Sequence, residues 1–229
     1  MVIQKFLTVR NYRKGVLKRN KWISIHYTAN NGDTAWGNCN YFHSEYRKAS
    51  ANYFVDEKSI WQCVEDYDIA WAVGADKYYN GCRNENSISV ELCSRNTRTD
   101  KTGEYFFLPE TVQNAKELVK YLMKKYNIDI DHVVRHYDVS RKLCPKNWCY
   151  HEDEWYKFKQ EIVEELEMEK KETIYNKLDE IPEWARPAVQ KAITANVLRG
   201  TGEGRLGLTL TEIKMLVWMD RVKAFDFID

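Results

Sequence analysis

The sequence predicts an α/β domain followed by a small all-α C-terminal domain. Three observations carry this expectation. Two segments have the two-residue period of strands, two longer segments have helical period, and the apolar residues of the tail recur only at helical spacing.

From Lys21 to about Asp138, strand-like and helix-like segments alternate. In Trp22 to Thr28, Ile23, Ile25 and Tyr27 share one face, with Ser24 and His26 on the other. Ser87 to Cys93 repeats the pattern, with Ile88, Val90 and Leu92 opposite Ser89, Glu91 and Cys93. ANYFVDE and SIWQCVE flank Glu57, Lys58 and Ser59 and read as a hairpin. Leu108 to Tyr126 sets Val112, Ala115, Leu118, Val119, Leu122 and Tyr126 along one stripe. Pro109 stands near its start, where a missing amide hydrogen does no harm. A second helix is expected from Glu152 to about Lys171, with Trp155 and Phe158 on its inner face and a charged, solvated second half.

Beyond Ile174 the chain changes character. Ile181, Trp184, Ala188, Ala192 and Ile193 form a helical stripe after Pro182, the glycine-rich RGTGEGRLG follows, and Thr209 and Glu212 stand at capping-box spacing before IKMLVW. The expected organisation is therefore a first domain over residues 1–162, a charged helical linker over 163–173, and a small helical domain over 174–229. Residues 202–207 match G-x-G-x-x-G by spacing, but they lie between helices with no strand before them, which excludes a dinucleotide loop.

With 44% hydrophobic residues the chain can build a core. A net charge of +1 gives no reason to expect nucleic acid as a partner. No apolar run is long enough to span a bilayer, so no membrane partner is expected. The basic N-terminus lacks the apolar stretch of a secretory signal, so synthesis and folding in a cytoplasm are expected. There most of the 6 cysteines are expected as buried thiols and at least one as a metal ligand.

Candidate chemistry centres on His26 at the polar face of a strand, His136 just after the strand-like HVVR, and Cys144 eight residues later. Imidazole and thiolate are good zinc ligands, and three protein ligands with a fourth position open define a catalytic site. Either histidine alone more often marks a surface or partly satisfied imidazole than a ligand, and Cys144 alone more often an inert buried thiol. No H-E-x-x-H, P-loop or G-x-S-x-G points to a competing enzyme class.

The words IHYTAN, SANYFVD, SISVELC and RHYDVSRKLCP occur in the order and at the separations found in the N-acetylmuramoyl-L-alanine amidases, which the chain resembles over roughly Ile3 to Ile162. The family includes phage and prophage endolysins and shares its fold with bacteriophage lysozyme-type amidases and peptidoglycan recognition proteins. The chain looks most like the endolysin and autolysin branch of Gram-positive, clostridia-like hosts. The resemblance implies a central mixed β-sheet flanked by helices. It also implies a Zn2+ held by His26, His136 and Cys144, with Glu91 as general base and Lys142 facing the reacting carbonyl. The implied substrate is peptidoglycan, cut between N-acetylmuramic acid and L-alanine by an enzyme made in the host cytoplasm that acts on the wall after release.

The chain departs from the family pattern at Asn52 and Ala72, each in place of a histidine expected to line the cleft, and at Ala51, in place of a tyrosine. Asp138 is expected either to orient a ligand imidazole or to cap a turn. Trp36, Tyr41, Trp61 and Trp71 line a glycan or peptide groove or belong to the core. Three alternative readings remain: a non-catalytic peptidoglycan-binding module, a cytosolic amidase recycling soluble muropeptides, and a glycosidase using Glu65 and Asp66. The C-terminal helices imply cell-wall binding or a homodimer.

Overall fold

A computed structural model describes residues 2–16 and 18–225; the outermost residues of the expected domains, 1 and 226–229, lie outside the described residues. The chain divides into two compact units, Met1–Ile162 and Val163–Asp229.

Among the described residues, the first unit holds ten strands and four complete α-helices. In chain order they are β1 (Ile3–Lys5), β2 (Tyr12–Arg13), β3 (Trp22–Tyr27), α1 (Ala35–Ser44), β4 (Tyr53–Val55), β5 (Ile60–Gln62), β6 (Ile69–Ala70), β7 (Ser87–Leu92), β8 (Arg95–Asn96), β9 (Tyr105–Phe106), α2 (Pro109–Tyr126), β10 (Val133–Arg135), α3 (His136–Ser140) and α4 (Lys146–Tyr150). Helix α5 (Glu152–Glu172) follows.

Six of these strands form the central sheet in the order β1-β5-β4-β7-β3-β10. Only β4 and β5 pair antiparallel, and the other four pairings are parallel, so the sheet is mixed. The expected hairpin is this β4–β5 pair. Asp56 builds its turn, accepting from the amides of Lys58 at 2.8 Å and Ser59 at 2.6 Å, while its other oxygen accepts from Ala35 N at 2.7 Å.

Alternation along the strands sorts the two faces. Tyr53, on one face, donates to Asp66 alongside Lys125 and Tyr126 from the end of α2, which places that face toward α2. Ile23, Ile25, Ile88, Val90 and Leu92 are fully buried, as are Ala115, Leu118, Val119 and Leu122 of the α2 stripe. Each large side chain buried this way contributes roughly 1.5–3 kcal/mol. Helix α2 starts at Pro109 and ends at Asn127, whose left-handed φ of 52° closes the last turn. The opposite face carries Phe54, which packs with Ala35 and Cys39 of α1, Ala51, Cys63 and Cys93. Helices thus cover both faces. Trp155, Phe158 and Ile162 anchor the first half of α5.

The second unit has its own core. Beyond the end of α5 it contains β11 (Ile174–Tyr175), α6 (Arg186–Thr194), β12 (Leu208–Thr209) and α7 (Leu210–Arg221). The expected all-α unit therefore also carries a short antiparallel ladder, Ile174 opposite Thr209 and Tyr175 opposite Leu208. The capping box forms: Thr209 Oγ1 accepts from Glu212 N at 3.3 Å, and Glu212 accepts from Thr209 N at 2.7 Å. The expected stripe holds at Ile181, Ala188 and Ala192, which are buried, and fails at Trp184, because a 3-10 turn over Glu183–Ala185 precedes the helix. Ile181, Ala185, Val189 and Ala192 face the core with Ile213 and Leu216, while Trp184 is 55% exposed. No helix among the described residues is long and apolar enough to cross a membrane.

Candidate metal centre

The sheet order brings together residues far apart in sequence. Strand β3 lies between β7 and β10, with His26 directly opposite Glu91 and Arg135 opposite Ile25. The residue after Arg135 is His136. Glu91, His26 and His136 therefore stand in a row at the C-terminal ends of three adjacent parallel strands, the edge at which open α/β sheets bind ligands.

Cys144 reaches the same point by a local turn. Helix α3 ends after one and a half turns at Arg141, whose φ is 67°, and the chain folds back so that Cys144 O accepts from Tyr137 N at 2.9 Å. One donor atom from each of His26, His136 and Cys144 lies within 4.8 Å of the others. Cys144 Sγ is 3.7 Å from His26 Nδ1, and the two imidazole rings meet edge-on with centroids 4.9 Å apart. The three residues are only 1%, 2% and 4% exposed.

The surroundings keep these donors neutral when no cation is bound. Burial holds the His26 imidazole well below its ordinary range, with His136 and then Lys142 adding to the effect. Burial, then Lys142, takes His136 down to about 4. Burial pushes the Cys144 thiol up, and Glu91 pushes it further, while the Tyr27 backbone and Lys142 pull the other way. Ser24 Oγ lies 3.1 Å from His26 Nε2. Both ring nitrogens of His136 are buried without a hydrogen-bond partner among the described residues. Leaving such a group unsatisfied costs roughly 1–3 kcal/mol. Two nitrogens and one sulfur converging at this spacing suit a borderline transition-metal ion, and such an ion would satisfy a His136 nitrogen.

Beside the donors opens a cavity of about 720 Å³, whose wall includes His26, Cys144, Glu91 and Lys142. Glu91 Oε2 is buried without a partner among the described residues. Burial pushes this carboxyl up to about 8, with Lys142 drawing it down and Asp33 driving it up.

Other expected positions divide. Tyr41, Trp71 and Ala72 line the cavity, whereas Trp36 is exposed beside Phe6 and Trp61 packs on the α1-side core. Ala51 belongs to that core as well. Asn52 does not line the cleft. It is fully buried, accepts from Ser89 N at 3.0 Å and donates to Glu65 O at 3.2 Å, so it ties β4 to β7. Asp138 caps the first turn of α3, accepting from Arg135 N at 2.8 Å and from the Arg135 guanidinium, and this settles its two expected roles in favour of the cap. Asp66 is consumed by Tyr53, Gln62, Lys125 and Tyr126, which leaves no carboxylate pair for glycosidase chemistry at Glu65 and Asp66.

Sequence reasoning missed Asp33 and Tyr27 on the cavity wall. Asp33 accepts from Asn38 at 2.7 Å and Asn30 at 3.0 Å, and its only sequence signal is its place one residue before the Thr34 cap of α1.

A family model described as N-acetylmuramoyl-L-alanine amidase matches residues 17–147. The chain belongs to this amidase family. It is 36% identical over 162 residues to N-acetylmuramoyl-L-alanine amidase CwlL of Bacillus licheniformis, covering 64% of this chain and 42% of that one. It is 30% identical over 173 residues to the amidase BlyA of Bacillus subtilis (strain 168), covering 69% and 45%. The chain thus spans less than half the length of these curated relatives. Among solved structures, PlyL superposes with a TM-score of 0.59 at 30% identity, over 71% of this chain and 97% of that one. The catalytic domain of XlyA gives 0.57 at 28% identity, over 71% and 99%. The mixed sheet with flanking helices is the amidase fold these structures share.

Proposed function

We propose that this amidase hydrolyses the amide between N-acetylmuramic acid and the L-alanine of the peptidoglycan stem peptide, with Zn2+ held by His26, His136 and Cys144. The observation that carries the reading is the convergence of those three donors, two of them on the wall of a cavity that also presents Glu91 and Lys142. The partnerless nitrogens of His136 support occupation of the site. Zinc held there supplies a Lewis acid that polarises a carbonyl and acidifies water.

The chain's own residues then have definite tasks. Glu91 takes the proton of the attacking water and returns it to the departing nitrogen. The C–N bond breaks, the hydroxyl stays on the lactyl carbonyl carbon, which becomes a carboxyl group, and L-alanine leaves with a free amino group. The raised proton affinity of Glu91 suits a group that must both accept and donate near neutrality. The Lys142 ammonium, exposed at the cavity mouth, offsets negative charge on the carbonyl oxygen. Tyr41 and Trp71 offer ring faces to the sugar or peptide.

Product analysis on purified walls tests the scheme. New amino termini that vanish with a chelator and with Glu91→Gln are expected. New reducing ends, or lysis that survives either treatment, would refute it. A binding module without catalysis would release neither.

For the second unit we propose wall attachment, with residues 163–173 as the charged linker and 174–229 as the attaching domain. Trp184 and Trp218, 55% and 65% exposed, suit stacking on sugars. Homodimerisation is the alternative. Wall pull-down beside sedimentation of the full chain separates the two, and a dimer that ignores walls would overturn the attachment reading.

A further inference from the structure

The first unit carries a second cavity, about 690 Å³, between the β8–β9 hairpin and α4. We infer that it is a subsite for a carboxylate of the stem peptide, an inference that rests on the amidase reading above and extends its substrate contacts.

Four observations carry it. First, the cavity adjoins the metal centre. Tyr105, on its wall, donates to Ala29 O at 3.1 Å and meets Tyr27 edge-on at 5.2 Å, and Ala29 and Tyr27 line the first cavity. Lys146 on the same wall is two residues beyond Cys144. The two cavities therefore share a partition, and all three of its residues are only half-buried, so its crest reaches solvent. A peptide attached at the metal centre can cross it.

Second, the charge is right. The wall includes two cationic residues, Arg98 and Lys146, against one acidic residue, Glu104. Third, a buried polar group is left over. Asn147 lines the cavity, is 5% exposed, and its Oδ1 has no hydrogen-bond partner among the described residues. A buried amide end without a partner is costly.

Fourth, the site is held in shape before any ligand arrives. Arg98 N donates to Asn96 Oδ1 at 2.9 Å, Thr97 N to Glu104 O at 3.0 Å, and Asn96 Nδ2 to Gly103 O at 3.1 Å. Asn31 ties the hairpin to the loop at the metal centre, accepting from Asn96 N at 3.0 Å and donating to Arg98 O at 3.3 Å. The loop that carries Arg98 thus needs little ordering on binding.

The probe is an N-acetylmuramoyl tripeptide, prepared as the free acid and with its carboxylates converted to amides. Exposed ion pairs are individually weak, so about two- to fivefold per cation is expected. Arg98→Gln combined with Lys146→Gln should raise KM for the free acid roughly tenfold, leave kcat unchanged and leave the amidated substrate unaffected. Glu104→Gln should lower KM for the free acid alone, because it removes a like charge. Equal shifts for both substrates would mean that the cavity reads sugar or shape, and would overturn the inference. So would no shift, or tighter inhibition by inorganic phosphate than by acetate that depends on Arg98. If the unmodified protein cleaves neither substrate, the amidase reading fails. Calorimetric binding of the two uncleaved compounds then still decides the carboxylate question.

Discussion

Glu91 gives the sharpest test of how the site is poised. In metal-free protein its folded carboxyl titrates near 8, against 4.5 for the ordinary group, and burial is the main cause. The folded state then holds a proton that the unfolded chain has already lost, so stability falls as pH rises between those two values. The buried histidines act in the opposite sense. Their folded pKa values lie below 6.5, with His136 at about 4, so they add stability as pH rises through 6.5, an effect complete only about one unit above it. Buried thiols such as Cys144 matter only near and above 9, where the unfolded chain begins to ionise. From pH 6.5 to 8 Glu91 loses roughly 1.7 kcal/mol, at up to about 1.4 kcal/mol per pH unit, and the two histidines return about half of that, so a net fall of about 1 kcal/mol is expected. Urea unfolding of chelator-treated protein at pH 6.5, 7.25 and 8 measures it. Glu91→Gln should turn the fall into the slight rise due to the histidines and make the metal-free variant the more stable protein at pH 8. The same slope in both proteins would show that Glu91 is ionised in the fold at neutral pH, and the account of its burial would be wrong.

Three further outcomes follow from the packing. Asp138→Asn removes the carboxylate that accepts from the backbone and guanidinium of Arg135, which is itself buried; a loss of about 2–3 kcal/mol is expected in urea unfolding, together with weaker metal uptake by dialysis because His136 begins the same turn. Leu118→Ala empties a fully buried position on α2 and should cost about 2–5 kcal/mol in the same assay without changing metal stoichiometry. In the second unit, hydrogen bonds from the Thr209 backbone and side chain hold the Glu212 carboxyl below its ordinary 4.5. Its stabilisation is therefore present above 4.5 and lost as pH falls through the depressed value, and Glu212→Gln should remove that acid-side dependence from the helical signal of α7.

Much of this molecule was legible in its sequence where one physical rule acts alone. Strict alternation marked β3 and β7 because each buries one apolar face against α2, and a continuous stripe marked α2 for the same reason. The hairpin was legible because Asp56 and the polar turn after it separate two apolar runs. Helix α1 was not. It buries only Ala35 and Cys39 while exposing Trp36 and Tyr41, so its pattern has no apolar stripe. The phase error at Trp184 arose because a 3-10 turn advances the chain at a different angle per residue from an α-helix. Asn52 was misplaced in the cleft because its role depends on strand register, which sets it beside Ser89 thirty-seven positions away.

Asn52 also shows how the strands beneath the site are tied together. On the face of the sheet shared with the metal centre, alternation places Ser24 before His26 and Ser89 before Glu91. These serines are buried, where an apolar residue would be expected, and each is used. Ser24 reaches His26, while Ser89 Oγ accepts from Asn52 N at 3.1 Å and its hydroxyl can donate to Asn52 Oδ1 at 3.2 Å. The polar layer beneath the cavity is therefore paired, and two of the residues with partnerless buried atoms among the described residues, Glu91 and His136, stand at its upper edge. A protein that satisfies its polar groups one layer down but not at the cavity has placed the deficit where a cation and a substrate can make it good. The strand ends are fixed by the ladder below them, and this lets residues 26, 91 and 136 hold one geometry although no sequence neighbour links them.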